Sequence, residues 1–308
     1  MIRRMYPIQK ASHCEFVPIR HLRYHVRQWG TPSPDKTPLV MVHGWMDVAA
    51  SFQFVVDALQ HDHWIIAPDW RGFGLTETPD TDNFWFPDYL ADLDQLLDHY
   101  VGDRPVHLLG HSMGGHVATL YAGIRPARIQ TLINLEGFGM PATRPAQAPG
   151  RYAQWMDELK ALQRGEMDLR SYPNLEAVAQ RLIKTNPRLG TDKAHWLAQH
   201  WASASAQGEW RILGHAAHKV VNAQLFKVDE AQALCERITA PTLCVVADTN
   251  SMEQWWQSRF TLEEFKQRIS VVPRLTHAVI HNAGHMLHHD QPEELAQLIE
   301  NFLAQNHA

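Results

Sequence analysis

The chain has 308 residues, 45% hydrophobic and 20% charged, with 28 Lys plus Arg against 33 Asp plus Glu for a formal net charge of −5. That is an ordinary soluble composition, long enough for one large domain or for one domain carrying a sizeable insertion. A mildly acidic balance without a block of like charges gives no footprint for nucleic acid or an anionic membrane, so the partner expected is a small-molecule substrate, with oligomeric state left open.

The first ten residues are basic, but no apolar run of signal-peptide length follows, and no stretch is apolar for long enough to span a bilayer. Membrane insertion is therefore not expected. Cys14, Cys235 and Cys244 are odd in number and lack the spacings of a zinc site or a disulfide framework. They read as reduced thiols of a cytoplasmic protein.

In chain order, residues 14–18 and 22–28 predict an opening hairpin with His21 near its turn. Strands follow over 38–43, 64–69, 106–110, 129–136, 242–247 and 278–282, each an apolar run rich in β-branched residues. Helices are predicted between them over 49–60, 86–100, 113–124, 253–268 and 292–304, the last with Asp290 as its cap. This alternation predicts a mostly parallel sheet covered by helices. It breaks once, over 140–238, where a Pro-rich entrance at 141–149 leads into a helical pattern with no convincing strand. The expected division is a core of residues 1–139 and 239–308 with a helical cap, 140–238, inserted after the sixth strand.

Residues 106–115 read V-H-L-L-G-H-S-M-G-G, an apolar strand ending in G-x-S-x-G and passing into a helical pattern. A nucleophile on a sharp strand-to-helix turn brings the backbone against its neighbours, so Gly110 and Gly114 are needed where a Cβ would collide. Ser112 then stands at the carboxyl end of the sheet. The helix N-terminus lies behind it, and the Met113 backbone N–H is free to meet a developing oxyanion. His285, after the final apolar strand, is the candidate base for the serine proton. His281 and His285 are four apart, but Gly284 and the strand assignment argue against a helix, and no accompanying motif suggests a metal. No metal or cofactor is expected.

With these residues in place, the chain resembles the α/β-hydrolase family, in the serine ester hydrolase type with a helical cap, similar to serine hydrolase-like proteins. His43-Gly44-Trp45 follows the third strand, where the family carries an H-G-x segment, and the resemblance implies that the Trp45 N–H is the second oxyanion donor. Residues 69–74, D-W-R-G-F-G, look like the family's D-x-R-G-x-G turn, with Arg71 a scaffold charge. Asn282-Ala283-Gly284-His285 follows the last strand, where the family keeps its histidine. The implied fold is an eight-stranded, mostly parallel sheet flanked by helices.

The third member of the triad departs from the family pattern. Where many members carry an acid after the seventh strand, Pro241-Thr242-Leu243 leads to Asn250, and Asp248 lies two residues early. Glu136, at the end of the sixth strand, occupies a place where some relatives keep their acid. Glu136 is preferred, with Asp248 the alternative.

The serine disfavours the dehalogenases and epoxide hydrolases of this fold, which attack with Asp. What remains is acyl transfer to water from a carboxylic ester, lactone or thioester through an acyl-enzyme. Trp45, Phe138, Trp155 and Trp210 are the expected substrate-binding side chains, which would favour an apolar or aromatic group. Two other readings stay open: a cofactor-free dioxygenase or other enzyme using the histidine as base, and a noncatalytic ligand-binding homologue.

Overall fold

A computed structural model describes residues 5–306; residues 1–4 of the basic start and residues 307–308 of the second core segment lie outside the described residues. The predicted apolar runs form strands β1 (Ser12–Ile19), β2 (Leu22–Trp29), β3 (Leu39–Val42), β4 (Ile65–Pro68), β5 (Val106–His111) and β6 (Ile129–Leu135). Three short strands follow, β7 (Ser171–Tyr172), β8 (Ala202–Ala204) and β9 (Trp210–Ile212), and then β10 (Thr242–Ala247) and β11 (Leu275–Ile280). The main sheet has the order β1-β2-β4-β3-β5-β6-β10-β11. It is parallel except at β2, which runs against both its neighbours.

The helices are α1 (Gln53–Ala58), α2 (Pro87–Val101), α3 (Met113–Ile124), α4 (Ala148–Gln163), α5 (Leu175–Thr185), α6 (Thr191–Trp201), α7 (Val228–Cys235), α8 (Ser251–Trp256), α9 (Leu262–Ile269), α10 (Leu287–Asp290) and α11 (Pro292–Gln305). Alternate strand residues point to opposite faces, and the two apolar layers divide accordingly. Val40, Val42, Leu108 and Leu132 pack with Leu93, Val117, Tyr121 and Phe265, which places α2, α3 and α9 on one face. Leu39, Met41, Leu109 and Ile133 pack with Val55, Leu295 and Ile299, which places α1 and α11 on the other. A sheet buried on both faces needs apolar residues at nearly every strand position, which is why β3, β5 and β10 read as continuous runs. Among the described residues, no helix is long and apolar enough to cross a membrane.

Three local expectations are corrected. The stretch between β6 and β10 is not wholly helical: β7, β9 and β8 form a small antiparallel sheet whose two- and three-residue strands are too short to show a period. The helix predicted over 253–268 is two, α8 and α9. Gln257 and Ser258, both at positive φ, separate them, and the Asn250 and Thr261 side chains each accept hydrogen bonds at a helix start. Asp290 does not cap α11; its carboxylate accepts from the Gly284 N–H at 2.8 Å and the Asn186 amide at 2.7 Å, tying the His285 loop to the insertion.

The D-x-R-G-x-G turn is a buried polar knot. Asp69 accepts from the Ala49 and Leu75 N–H groups and from His25 Nδ1 at 2.7 Å. A Cβ on Gly74 would lie 2.1 Å from that carboxylate. Arg71 makes a two-pronged bond to Asp92 at 2.6 and 2.7 Å, and Asp92 also accepts from the Tyr24 hydroxyl. Arg71 is thus the scaffold charge expected of it.

A second buried cluster has a pH consequence. Burial pushes the imidazoles of His111 and His288 well down and that of His289 down to about 3, so the fold holds them neutral. The unfolded chain takes up their protons below about pH 6.5, so their contribution is complete above that value and is lost on acidification. Each therefore loses stabilising effect as the pH falls from 7 to 5. Asp47, raised to about 7 by burial, works in the opposite sense, one group against three. The melting temperature is therefore expected to fall by about 5 °C or more from pH 7 to pH 5. A flat or rising profile by calorimetry contradicts this burial.

Candidate active site

Ser112 is the residue between β5 and α3, with φ 53° and ψ −118°. Its N–H donates to the Leu135 carbonyl at 2.8 Å, and its own carbonyl accepts from His116 N–H at 3.0 Å. The glycines make the turn possible. A Cβ on Gly110 would lie 2.3 Å from the Gly114 carbonyl oxygen, and one on Gly114 would lie 2.3 Å from that of Val42. Met113 is the first helical residue, so its N–H has no partner within α3.

The H-G-W segment passes close over the nucleophile: a Cβ on Gly44 would sit 3.0 Å from Ser112 Cβ. His43 fixes that turn. Its Nε2 accepts from the Trp70 N–H at 2.9 Å, which leaves Nδ1–H to donate to the Gly44 carbonyl at 2.8 Å. Burial lowers its pKa, in keeping with this neutral tautomer. Trp45 itself is 51% exposed and lines the cavity above Ser112. The insertion secures the same turn, through the Trp201 indole N–H donating to the Met46 carbonyl at 2.9 Å.

Glu136 follows β6 with φ 53° and is 2% exposed. Asn134 folds the chain back behind it, accepting from the Gly137 N–H at 2.6 Å. One Glu136 oxygen accepts from the Ala247 N–H at 2.8 Å, and the other from His285 Nδ1 at 2.8 Å and the Ser251 hydroxyl at 3.1 Å. Asp248 is elsewhere: its carboxylate accepts from the Asn282 and Ala283 N–H groups and shapes the loop leading to His285. Those backbone bonds hold its pKa below the usual carboxylate range. Of the two candidate acids, only Glu136 meets the imidazole. Ser112 and His285 share the wall of one cavity.

That cavity holds about 1540 Å³ between the carboxyl end of the sheet and the segment that joins β6 to β10. Phe138 lines it, with its ring edge-on to Phe265 at 5.0 Å. Trp155 and Trp210 do not. Trp210 lies in β9, packed on an apolar cluster that joins Trp196 and Leu197 of α6 to Val48, Ala50 and Phe54 at the start of α1, and Trp155 on α4 likewise stands outside the cavity wall. Helical pattern alone could not say which face of the insertion looks at the sheet. Sequence reasoning also missed Trp255, whose ring meets that of His285 edge to face at 4.3 Å, and Ser251. Both lie on the short helix α8; Trp255 falls within the stretch predicted as one longer helix, and Ser251 two residues before its predicted start.

His111 donates from Nε2 to the His285 carbonyl at 2.7 Å and so braces the histidine loop. With Asp47 and His288 it forms a buried group whose ligating atoms lie within 4.8 Å of one another. Asp47 Oδ2 and His288 Nε2 are 4.0 Å apart. A zinc ion about 2.0–2.1 Å from each would have to sit almost on the line between that pair, so the set does not match a tetrahedral centre.

A model of the alpha/beta hydrolase fold family matches residues 37–292, and the chain belongs to that family. Among curated proteins it is 25% identical over 302 residues to a "Serine hydrolase-like protein" of Danio rerio, covering 93% of this chain and 86% of that one. It is also 40% identical over 98 residues to the "Pimeloyl-[acyl-carrier protein] methyl ester esterase" of Legionella pneumophila, covering 32% of this chain and 37% of the other. Among solved structures, the thioesterase domain from the curacin biosynthetic pathway superposes with a TM-score of 0.79 at 23% identity, over 94% of this chain and 99% of that one. The last shows a shared fold.

The close approaches around Ser112 lead to a stability test. Gly114→Ala is expected to lower stability by about 3 kcal/mol or more, because backbone on both sides must move. Gly150→Ala, on α4 with nothing within 4 Å of the added carbon, is expected to raise it by up to about 1 kcal/mol. Urea unfolding of the two variants checks this; a wild-type midpoint for Gly114→Ala contradicts the close approach.

Proposed function

We propose that the chain is a serine hydrolase that cleaves a carboxylic ester, lactone or thioester through an acyl-enzyme on Ser112. His285 Nε2 takes the serine proton during attack and returns it to the leaving group. Glu136, bonded to Nδ1–H, fixes the tautomer that leaves Nε2 free as base and steadies the imidazolium formed at the transition state. The N–H groups of Met113 and Trp45 receive the charge developing on the attacked oxygen. Water, activated by the same histidine, then releases the acid. The reading includes residues 140–238 as a cap over the site. It also includes a cytoplasmic location, supported by the odd cysteine count.

The observation that carries this reading is the Glu136–His285 bond of 2.8 Å on the cavity that also exposes Ser112. A carboxylate only 2% exposed and satisfied by one backbone N–H, one hydroxyl and one imidazole is a pre-formed orienting group, held in place before substrate arrives. The dioxygenase-like reading needs the histidine and acid but not the serine.

Two experiments test the assignment. A fluorophosphonate probe is expected to label the wild type and not Ser112→Ala, and equal labelling of both would remove Ser112 from the chemistry. In hydrolysis of p-nitrophenyl esters of increasing chain length, Glu136→Gln is expected to lower kcat by about 10⁴-fold. Asp248→Asn should change it far less. The reverse pattern would make Asp248 the acid.

A further inference from the structure

The cavity over Ser112 is larger than the roughly 300–1,000 Å³ of ordinary small-ligand pockets, and its wall carries two chemistries. One part is apolar, with Phe86, Leu120, Phe138, Phe226 and Trp255. The other is basic: Arg144 before the short turn Pro145–Gln147, Arg151 on α4 and Arg259 just after α8. Two of these arginines come from the insertion and one from the sheet side, so cationic groups reach the cavity from both.

The carboxylates on the same wall are already engaged. Glu136 holds His285, and Glu230 meets Lys227 at 2.5 Å. Among the described residues none of the three guanidiniums meets a carboxylate; Arg151 donates to the Asn222 carbonyl at 3.1 Å and Arg259 to that of Trp256 at 3.3 Å. Elsewhere Arg71, Arg128 and Arg268 are held by Asp or Glu, whereas Arg188 and Arg237 donate to the Thr249 hydroxyl and the Gly123 carbonyl. A chain with five more acids than bases thus leaves three unmatched guanidiniums around one apolar cavity. A guanidinium with free in-plane donors is matched to a carboxylate or phosphate, which it can bind by two parallel hydrogen bonds.

We propose that the substrate is an ester or thioester carrying an anionic group, a carboxylate or a phosphate, remote from the scissile carbonyl, and that Arg144, Arg151 and Arg259 bind that group while the apolar wall takes the chain between. This rests on the reading of Ser112 as the acyl-forming nucleophile. It narrows the substrate from an apolar molecule to an amphipathic one.

The test compares kcat/KM within two matched pairs. Mono-p-nitrophenyl glutarate against p-nitrophenyl butyrate tests a carboxylate, and butyryl-coenzyme A against S-butyryl-N-acetylcysteamine tests a phosphate. In at least one pair the anionic member is expected to be preferred about tenfold or more at low salt, and the pair that shows it identifies the anion. The preference should shrink toward one at about 0.5 M salt, where charges are screened beyond a few ångströms, and again in Arg144→Gln/Arg151→Gln/Arg259→Gln. Should the triple variant fail to fold, Arg259→Gln alone together with the salt series makes the same comparison. Ratios at or below one in both pairs overturn the proposal, as does a preference that neither salt nor substitution changes. Failure of the underlying reading looks different: no member of either pair is turned over and the fluorophosphonate does not label Ser112.

Discussion

The site depends on a backbone that most side chains would refuse. Ser112 sits at positive φ between a buried strand and a buried helix, a conformation that costs about 1–3 kcal/mol in a residue with a Cβ. It persists because α3 is pressed against β3 and β5 so closely that only hydrogen fits at positions 110 and 114. The same close approach leaves Ser112 and Met113 on the wall of the cavity at the carboxyl end of the sheet. If either glycine carried a side chain, the helix would have to withdraw and the serine would sink into an ordinary turn.

The parallel register does the rest. His111 of β5 pairs with Leu135 of β6, and Leu135 with Val245 of β10. The residues that follow, Ser112 and Glu136, therefore emerge side by side at the carboxyl end of the sheet. The backbone of β10 supplies the Ala247 N–H that fixes the carboxylate, and the chain leaving β11 delivers His285. Glu136 has the same positive φ as Ser112, so two adjacent strands end in the same kind of kink. Asp248, one strand further along, turns its carboxylate toward the loop N–H groups of Asn282 and Ala283. It shapes the approach of the histidine instead of touching it.

Most of this was legible in the chain because the constraints are local or periodic. The apolar runs showed the strands, the glycines around Ser112 showed the turn, and the missing acid at Asn250 directed attention to Glu136. What the sequence hid depends on which face of an element meets which neighbour. Trp210 packs on a cluster that residues 172–202 share with Phe54 beside the sheet, and neither it nor Trp155 reaches the wall on which both were expected. Trp255 and Ser251, which flank the His285–Glu136 pair, were hidden for a different reason. They sit on a short helix capped by Asn250 that starts two residues before the predicted one and ends at the break at Gln257 and Ser258, which the pattern over 253–268 did not show.

The covalent intermediate is the most direct object to measure. The protein can be mixed with excess p-nitrophenyl acetate at a pH low enough to slow deacylation, quenched in acid, digested and mapped by mass. An acetyl group on the peptide containing residue 112, appearing in step with a burst of p-nitrophenol and absent from Ser112→Ala, is the expected result. Steady ester turnover with no acyl group on that peptide, or with the group on another residue, would contradict nucleophilic catalysis by this serine.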